Sequence, residues 1–313
     1  METIEFKTLR NKTEEEAREM LEALRWPDGA VCPHCGNKEA YKLTAKADSK
    51  KAVRNGVYKC KACRKQYTVT VGTIFEGGHI KLTNWLMAIY LMCSSKKGMS
   101  AHQLHRTLGV TYKTAWFMAH RIRYAMTQEP LAGLLSGTVE ADEAYIEGKE
   151  SNKHKSKRIE GSQGRSTKTK TPVAVVVERE GRVRANKVVS TDSKTLKENL
   201  RQHIDSSVRV MTDEWTAYNG LEKKFTSHEV VDHSHGEYVR GDVHTNTAES
   251  WIALLKRGII GTFHHVSKEH LDHYINEFFF RWNNRKVSDG ERTVLAVKGI
   301  EGKRLYYENP IKK

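Results

Sequence analysis

Two Cys-x-x-Cys pairs constrain this chain more than any other feature. Cys32-Pro-His-Cys35 and Cys60-Lys-Ala-Cys63 stand with 24 residues between them. Each pair can offer two thiolates to one tetrahedral Zn²⁺, and a β-hairpin between the pairs would bring them together. Gly36 relieves the steric cost of the tight turn after the first pair. A segment of roughly forty residues cannot build a sufficient core alone, so one structural ion would stand in for it. Four buried free thiols are the plain alternative. A redox pair fits less well, because the flanks are basic loops and not a βαβ unit. His34 sits inside the first turn and is expected to point outward, and Cys93 reads as core on an apolar helix face.

Charge narrows the class of partner. The 313 residues include 53 Lys and Arg against 38 Asp and Glu, a net +15 with a pI near 9.5. Such an excess attracts a polyanion, most commonly nucleic acid. An acidic membrane surface is the rival, but there is no apolar run near 18 residues and no lipidation signal. The N-terminal METIEFKTLRNKTEEEAREM lacks the apolar core of a secretory signal. With four of five cysteines in tight pairs, the chain is expected in a reducing cytoplasm.

The length suggests two to four compact units. Residues 1–28 form an N-terminal helical segment, with Met20, Leu21 and Leu24 at helical spacing. Residues 29–78 make the ribbon, and 79–130 hold a buried helix (82–95) and two further helices broken at Leu108-Gly109-Val110. From about 131 to 313 the pattern becomes mixed α/β. GTVEADEAYIEG alternates as a strand, TPVAVVVERE and RVRANKVVS form a hairpin turning at Glu180-Gly181, and VRVMTDE is a short buried strand. SKTLKENLRQHI, NTAESWIALLKRGI and SKEHLDHYINEFFFRWNNR read as helices. Residues 148–170 carry eight Lys and Arg against two Glu, with almost nothing apolar, and read as a mobile basic loop.

The helices at 100–126 resemble a helix-turn-helix. Ser100 caps the first, Gly109 supplies the turn and Thr111 caps the second, which carries Lys113, Thr114, Trp116, His120, Arg121 and Arg123. The second helix of such a pair commonly enters the major groove. An ordinary helical hairpin is the alternative, with Trp116, Phe117 and Ile122 as core.

Three acids stand where a mixed sheet would gather them. Asp142 lies within an apolar strand, where an unpartnered charge is costly. Asp213 ends another strand, and Glu249, 35 intervening residues later, opens a helix. Carboxylates at adjacent strand ends plus one from a helix can hold two Mg²⁺ ions about 3.5–4 Å apart for phosphoryl transfer. Each acid also has a plain reading. Glu140 or Glu143 could be the ligand in place of Asp142, Asp213 could cap a helix starting near Glu214, and Glu249 could be a first-turn acid favoured by the helix dipole.

Together, CPHCG, CKACRKQYTVTVGTIFEG, VEADEAYIEGKESNKH, VMTDEWTAY and VHTNTAESWIALLKRGIIGTFHHVS resemble the bacterial insertion-sequence DDE transposases. More narrowly, they resemble those with an N-terminal zinc ribbon before a ribonuclease-H-like catalytic domain. The resemblance runs from about Thr13 to Tyr306-Tyr307. It implies Asp142, Asp213 and Glu249 as ligands of two Mg²⁺ ions, for which Mn²⁺ can substitute. Lys256, seven residues after Glu249, shares its helix face and would grip a phosphate. His244, Thr245 and Asn246 belong to the same motif and would shape the metal site or contact DNA, with Asn246 the second choice for third ligand. The implied partner is double-stranded DNA, both the element's inverted ends and the target, bound by a dimer or higher oligomer on the nucleoid. Lys113, Arg121, Arg123, Lys153, Lys155 and Lys157 are the expected DNA contacts. Two other classes remain open at this point: a zinc-ribbon regulator whose catalytic domain has lost its chemistry, and a nuclease of the same fold that cuts without joining.

Overall fold

In the computed structural model, which describes residues 2–44, 54–127, 133–146, 153–162 and 166–306, the chain opens with two helices. These are α1 (Phe6–Asn11) and α2 (Glu14–Arg25). The second starts at a capping box in which Thr13 and Glu16 satisfy each other's backbone N–H groups, with three acids in the first turn where the helix dipole favours them. The ribbon follows as an antiparallel sheet of β1 (Ala40–Lys42), β2 (Tyr58–Cys60) and β3 (Gln66–Tyr67). Then come α3 (Leu82–Ser94), α4 (Ala101–Leu108) and α5 (Tyr112–Ala125). Ser100 and Thr111 cap α4 and α5 as expected, and Gly109 takes the left-handed conformation that ends α4.

The second half is built on β4 (Thr138–Ile146), β5 (Thr171–Glu178), β6 (Val183–Lys187), α6 (Ser193–His203), β7 (Arg209–Asp213), β8 (Ser227–Val231), α7 (Asn246–Gly258) and α8 (Leu271–Asn283). The five strands form one mixed sheet in the order β6-β5-β4-β7-β8. β4, β5 and β6 pair antiparallel, while β7 pairs parallel with both β4 and β8. Both faces are covered, so β5 is apolar at nearly every position. Val173, Val175 and Val177 pack with Ala144 and Ile146 against Trp251 of α7 and Phe278 of α8. Ala174 and Val176 pack with Val139 and Ala141 against Leu196 and Leu200 of α6 and against Tyr218. The period-two alternation of β4 therefore turns residues 140 and 142 toward the α7 side, and residue 143 toward the α6 side.

The last helix, α9 (Asp289–Lys298), lies within the stretch expected as the catalytic domain. The chain divides into one unit of Met1–Thr127 with Lys286–Lys313 and another of Gln128–Arg285. Within the first unit α9 buries Val294 and Val297, and Arg292 donates from Nη1 to the Cys93 carbonyl at 2.8 Å, tying α9 to α3. Gly290 permits the close approach of the N-terminal strand of chain, since a Cβ there would lie 2.3 Å from the Ile4 carbonyl oxygen. The last helix expected from the sequence ends at residue 285, so α9 is an addition to the expected elements.

Candidate active site and metal centres

The four cysteines of the ribbon meet. Their sulfurs all lie within 4.8 Å of one another, with Cys32–Cys63 at 3.7 Å and Cys35–Cys60 at 3.6 Å. A tetrahedron with Zn–S bonds of about 2.3 Å has edges of about 3.8 Å, so the cluster fits one zinc ion. Two equivalent turns produce it. In each, the residue after the second cysteine has positive φ, Gly36 at 72° and Arg64 at 62°. Its N–H returns to the carbonyl of the first cysteine, at 2.8 Å for Gly36 to Cys32 and 3.1 Å for Arg64 to Cys60. Arg64 pays with a crowded Cβ for what Gly36 does freely. Hydrogen bonding from the Cys63 backbone, more than any other influence, draws the Cys60 thiol down to about 7. His34 is exposed and Cys93 is buried, both as expected.

In the sheet unit the parallel register aligns Glu140 with Met211, so Asp142 and Asp213, each two residues on, end up side by side. α7 crosses the same face of β4 and carries Glu249 and Lys256. Asp142 is half-buried, and its carboxyl is raised to about 6. Burial is the main cause; the negative charges of Asp213 and Glu249 add to it, while the Glu143 backbone N–H and the Lys256 ammonium oppose it. The fold thus brings together all four residues that the resemblance selected. The three carboxylates stand more openly than the sulfurs: among the described residues, only the cysteines form a ligand cluster within 4.8 Å.

The other acids have different work. The Tyr218 hydroxyl donates to Glu143 on the α6 side of the sheet. Glu140 is fully buried and engaged at the start of α7. Asp213 does not cap an α-helix; its Oδ1 accepts from the Trp215 N–H at 3.1 Å, ahead of a 3₁₀ turn at Thr216–Tyr218. Glu214 is exposed and accepts from the His233 N–H at 3.0 Å. Thr245, expected to shape this site, donates from Oγ1 to Glu249 Oε1 at 3.3 Å, and one neighbour was not foreseen: His233 Nε2 stands 3.8 Å from the same oxygen. His233 comes from the turn after β8, and only the fold brings it to α7. His244 is half-buried with Nδ1 3.3 Å from Glu140, and Asn246 is exposed at the first position of α7.

The expected DNA-contacting residues divide. Lys113 is exposed in the first turn of α5, and Lys153, Lys155 and Lys157 are exposed around a 3₁₀ turn. Residues 148–152 and 163–165 of the basic loop lie outside the described residues. Arg121 and Arg123 are corrections. Arg121 is buried and donates to the carbonyls of Leu305, Ile74 and Glu76 at 3.0, 2.5 and 2.9 Å, with its guanidinium over the Phe117 ring. Burial lowers its pKa to about 10. Arg123 is buried to 2% exposure. The reason is helical phase: α5 buries Ala115, Met118, Ala119 and Ile122, and both arginines fall on that wide inner face.

Comparison with known proteins gives these sites a family. Residues 12–66 match the transposase zinc-ribbon domain, and residues 134–283 match the ISXO2-like transposase domain. The chain is also 31% identical, over 284 residues, to an uncharacterized protein in transposable element ISH50 of Halobacterium salinarum. That alignment covers 86% of this chain and 90% of the relative. The chain belongs to the insertion-sequence transposases with an N-terminal zinc ribbon. In this transposase the matched transposase domain contains Asp142, Asp213, Glu249 and Lys256 and ends at residue 283, before α9. Among the described residues no helix is long and apolar enough to cross a membrane.

Proposed function

We propose that this transposase binds the inverted ends of its element, cuts them to expose 3′ hydroxyls, and joins those hydroxyls to target DNA. Asp142, Asp213 and Glu249 hold two divalent ions for this chemistry. The observation that supports the reading most is the convergence of Asp142 of β4, Asp213 of β7, and Glu249 and Lys256 of α7. A pair of bound Mg²⁺ or Mn²⁺ ions supplies activation of the attacking oxygen and stabilisation of the leaving one. The chain's own part is positional. Asp142 and Asp213 present oxygens from neighbouring parallel strands, Glu249 closes the site from α7, and Lys256, two turns along, neutralises a phosphate oxygen. Asn246, exposed beside them, contacts the DNA backbone, and His244 shapes the start of α7 from below.

End binding belongs to the ribbon and helices. With Arg121 and Arg123 inside, the basic face lies elsewhere. An open groove of about 640 Å³ beside the α4–α5 turn is lined by Arg10, Lys12, His79, Lys81 and Thr111, among others. Among the described residues Arg10, Lys12 and Lys81 make no ion pair; the acid closest in sequence to the groove, Glu14, is spent on the Leu82 N–H at 2.8 Å. With Lys113, these cations follow a phosphate backbone, and Lys153, Lys155 and Lys157 add contacts from the catalytic unit. The protein acts as a dimer or higher oligomer on the DNA of the cytoplasmic nucleoid.

The test is a Mg²⁺-dependent assay on a labelled end fragment, repeated with Mn²⁺. Asp142→Ala, Asp213→Ala and Glu249→Ala should each abolish cleavage and strand transfer while end binding survives. Lys256→Ala should slow both without eliminating them, and Glu214→Ala should remain active. Full activity in Asp142→Ala or Asp213→Ala would sink the two-ion mechanism. Activity in Glu249→Ala with loss in Asn246→Ala would move the third ligand. Cleavage by the wild type with no strand-transfer product would leave a nuclease.

A further inference from the structure

We infer that an ion pair between buried Glu140 and half-buried Arg179 sets the register of the three metal-binding carboxylates and so governs the affinity of the acidic site for divalent ions. Both are positioning residues, and the inference rests on the two-ion reading above.

Glu140 is fully buried on β4, and each of its oxygens accepts two hydrogen bonds. Oε2 takes the backbone N–H groups of Thr247 at 2.7 Å and Ala248 at 3.0 Å. Oε1 takes the Thr247 hydroxyl at 2.9 Å and Arg179 Nε at 2.8 Å, and His244 Nδ1 lies 3.3 Å from it. A carboxylate has about four acceptor positions, so Glu140 has none left for a metal ion. Arg179, the residue after β5, uses Nη2 to donate to the His244 carbonyl at 3.0 Å, and the same atom lies 2.8 Å from Met211 Sδ.

The positions touched have a common relation to the acidic site. Glu140 is two residues before Asp142, Met211 two before Asp213, and Thr247 two before Glu249. One ion pair therefore ties together the three backbone segments that must agree for the carboxylates to converge. A simple helix cap would not need this arrangement. Thr245 stands at the N-cap of α7 with no side-chain bond to the helix amides, and a local Ser, Thr or Asp could cap them at far lower desolvation cost. Burying a charged carboxylate is a poor route to stability, but it fixes one arrangement against others, because any slip leaves that charge unmatched. The groups supporting metal ligands commonly change metal affinity by about 10–100-fold when altered.

The experiment measures Mn²⁺ binding to the zinc-loaded full chain by calorimetry, alongside zinc content and thermal unfolding. Asp142→Ala identifies the site, since the binding it removes is the binding of interest. Glu140→Gln and Arg179→Met should each weaken that binding by about tenfold or more while zinc content stays unchanged. The double variant should be no weaker than the worse single one, because the two residues act as a unit. Arg179→Lys, which keeps the charge but not the fork, should fall between wild type and Arg179→Met. Asn283→Ala is the control for general destabilisation. It removes the 2.8 Å bond from the Val183 N–H that ties α8 to β6 away from the site, and it should lower the melting temperature with Mn²⁺ binding intact. If the Glu140 and Arg179 variants behave like Asn283→Ala, the pair is merely structural and the inference is overturned. If one variant fails to fold, the other and Arg179→Lys carry the comparison. If the wild type shows no Mn²⁺ binding that Asp142→Ala removes, the two-ion reading fails first and the inference falls with it.

Discussion

The Tyr218 hydroxyl donates to the Glu143 carboxylate beneath the sheet, on the face opposite Asp142. Two acids adjacent in sequence are thereby given different tasks, one inside the α6 layer and the other toward α7. Burial first, and then the Glu143 charge, raise the Tyr218 phenol well above its ordinary range, so it remains a donor at any physiological pH. Tyr218→Phe removes a hydrogen bond to a buried charged acceptor and should cost about 1–3 kcal/mol in urea unfolding. Unchanged stability would show that Glu143 is satisfied without the phenol.

On the two-ion reading proposed above, Asp142 links metal affinity to pH. Its carboxyl, raised from 3.8 to about 6, holds a proton more tightly in the folded metal-free chain than in the unfolded one. Its contribution to stability is full below the unfolded value and is lost as pH rises through the folded one. A divalent ion needs the deprotonated form, so proton and ion compete. Apparent Mn²⁺ affinity should be flat above about pH 7 and fall by about tenfold per unit below about pH 6. Calorimetric titrations across that window check this, and pH-independent binding would contradict it.

Zinc should hold the ribbon together, at one ion per chain by elemental analysis. Trp26 is buried against the ribbon, its ring nearly perpendicular to those of Tyr58 and Tyr67 with centroids 5.5 and 5.8 Å away. Stripping zinc with a chelator, or Cys60→Ser, should expose Trp26 and shift tryptophan emission to the red. Trp26→Phe should remove most of that shift. End binding should weaken in both zinc-free forms while Mn²⁺ binding at the acidic site persists. Substoichiometric zinc in protein prepared without chelators would argue against the site.

Arg121 and the groove cations should separate cleanly. Arg121→Met leaves two buried carbonyls and one half-buried one without their donor and should cost about 2–4 kcal/mol of stability. Arg10→Ala and Lys81→Ala should leave stability nearly unchanged. Each should weaken end DNA and random DNA alike and lower the salt dependence of binding by about one ion. A groove variant with an unaltered salt slope would remove that residue from the interface.

The ribbon was legible because metal coordination fixes the ligand type and spacing together, so Cys32, Cys35, Cys60 and Cys63 needed no tertiary information. The α4–α5 turn was legible through Ser100, Gly109 and Thr111, whose local chemistry sets the chain direction. The acids were only half legible. Alternation along Val139–Ile146 separates Asp142 from Glu143, but which face meets α7 depends on a parallel register with residues some seventy positions away. The phase of α5 was misread because arginine is taken for a surface residue, whereas Arg121 is matched by carbonyls that come from Ile74, Glu76 and Leu305. β8, with His228 and Glu229 at half-buried positions, carries too weak an alternation to stand out, and so His233 beside Glu249 went unseen.

A ribosome delivers this chain from its amino end, and α9 emerges only after Gln128–Arg285 has been made. The unit that holds the zinc ribbon and the α4–α5 turn therefore completes its packing last, although it is begun first. A message or a protease that ends the chain before Asp289 leaves the Cys93 side of α3 uncovered. Shortened copies of the gene would then yield a first unit that lacks part of its own packing.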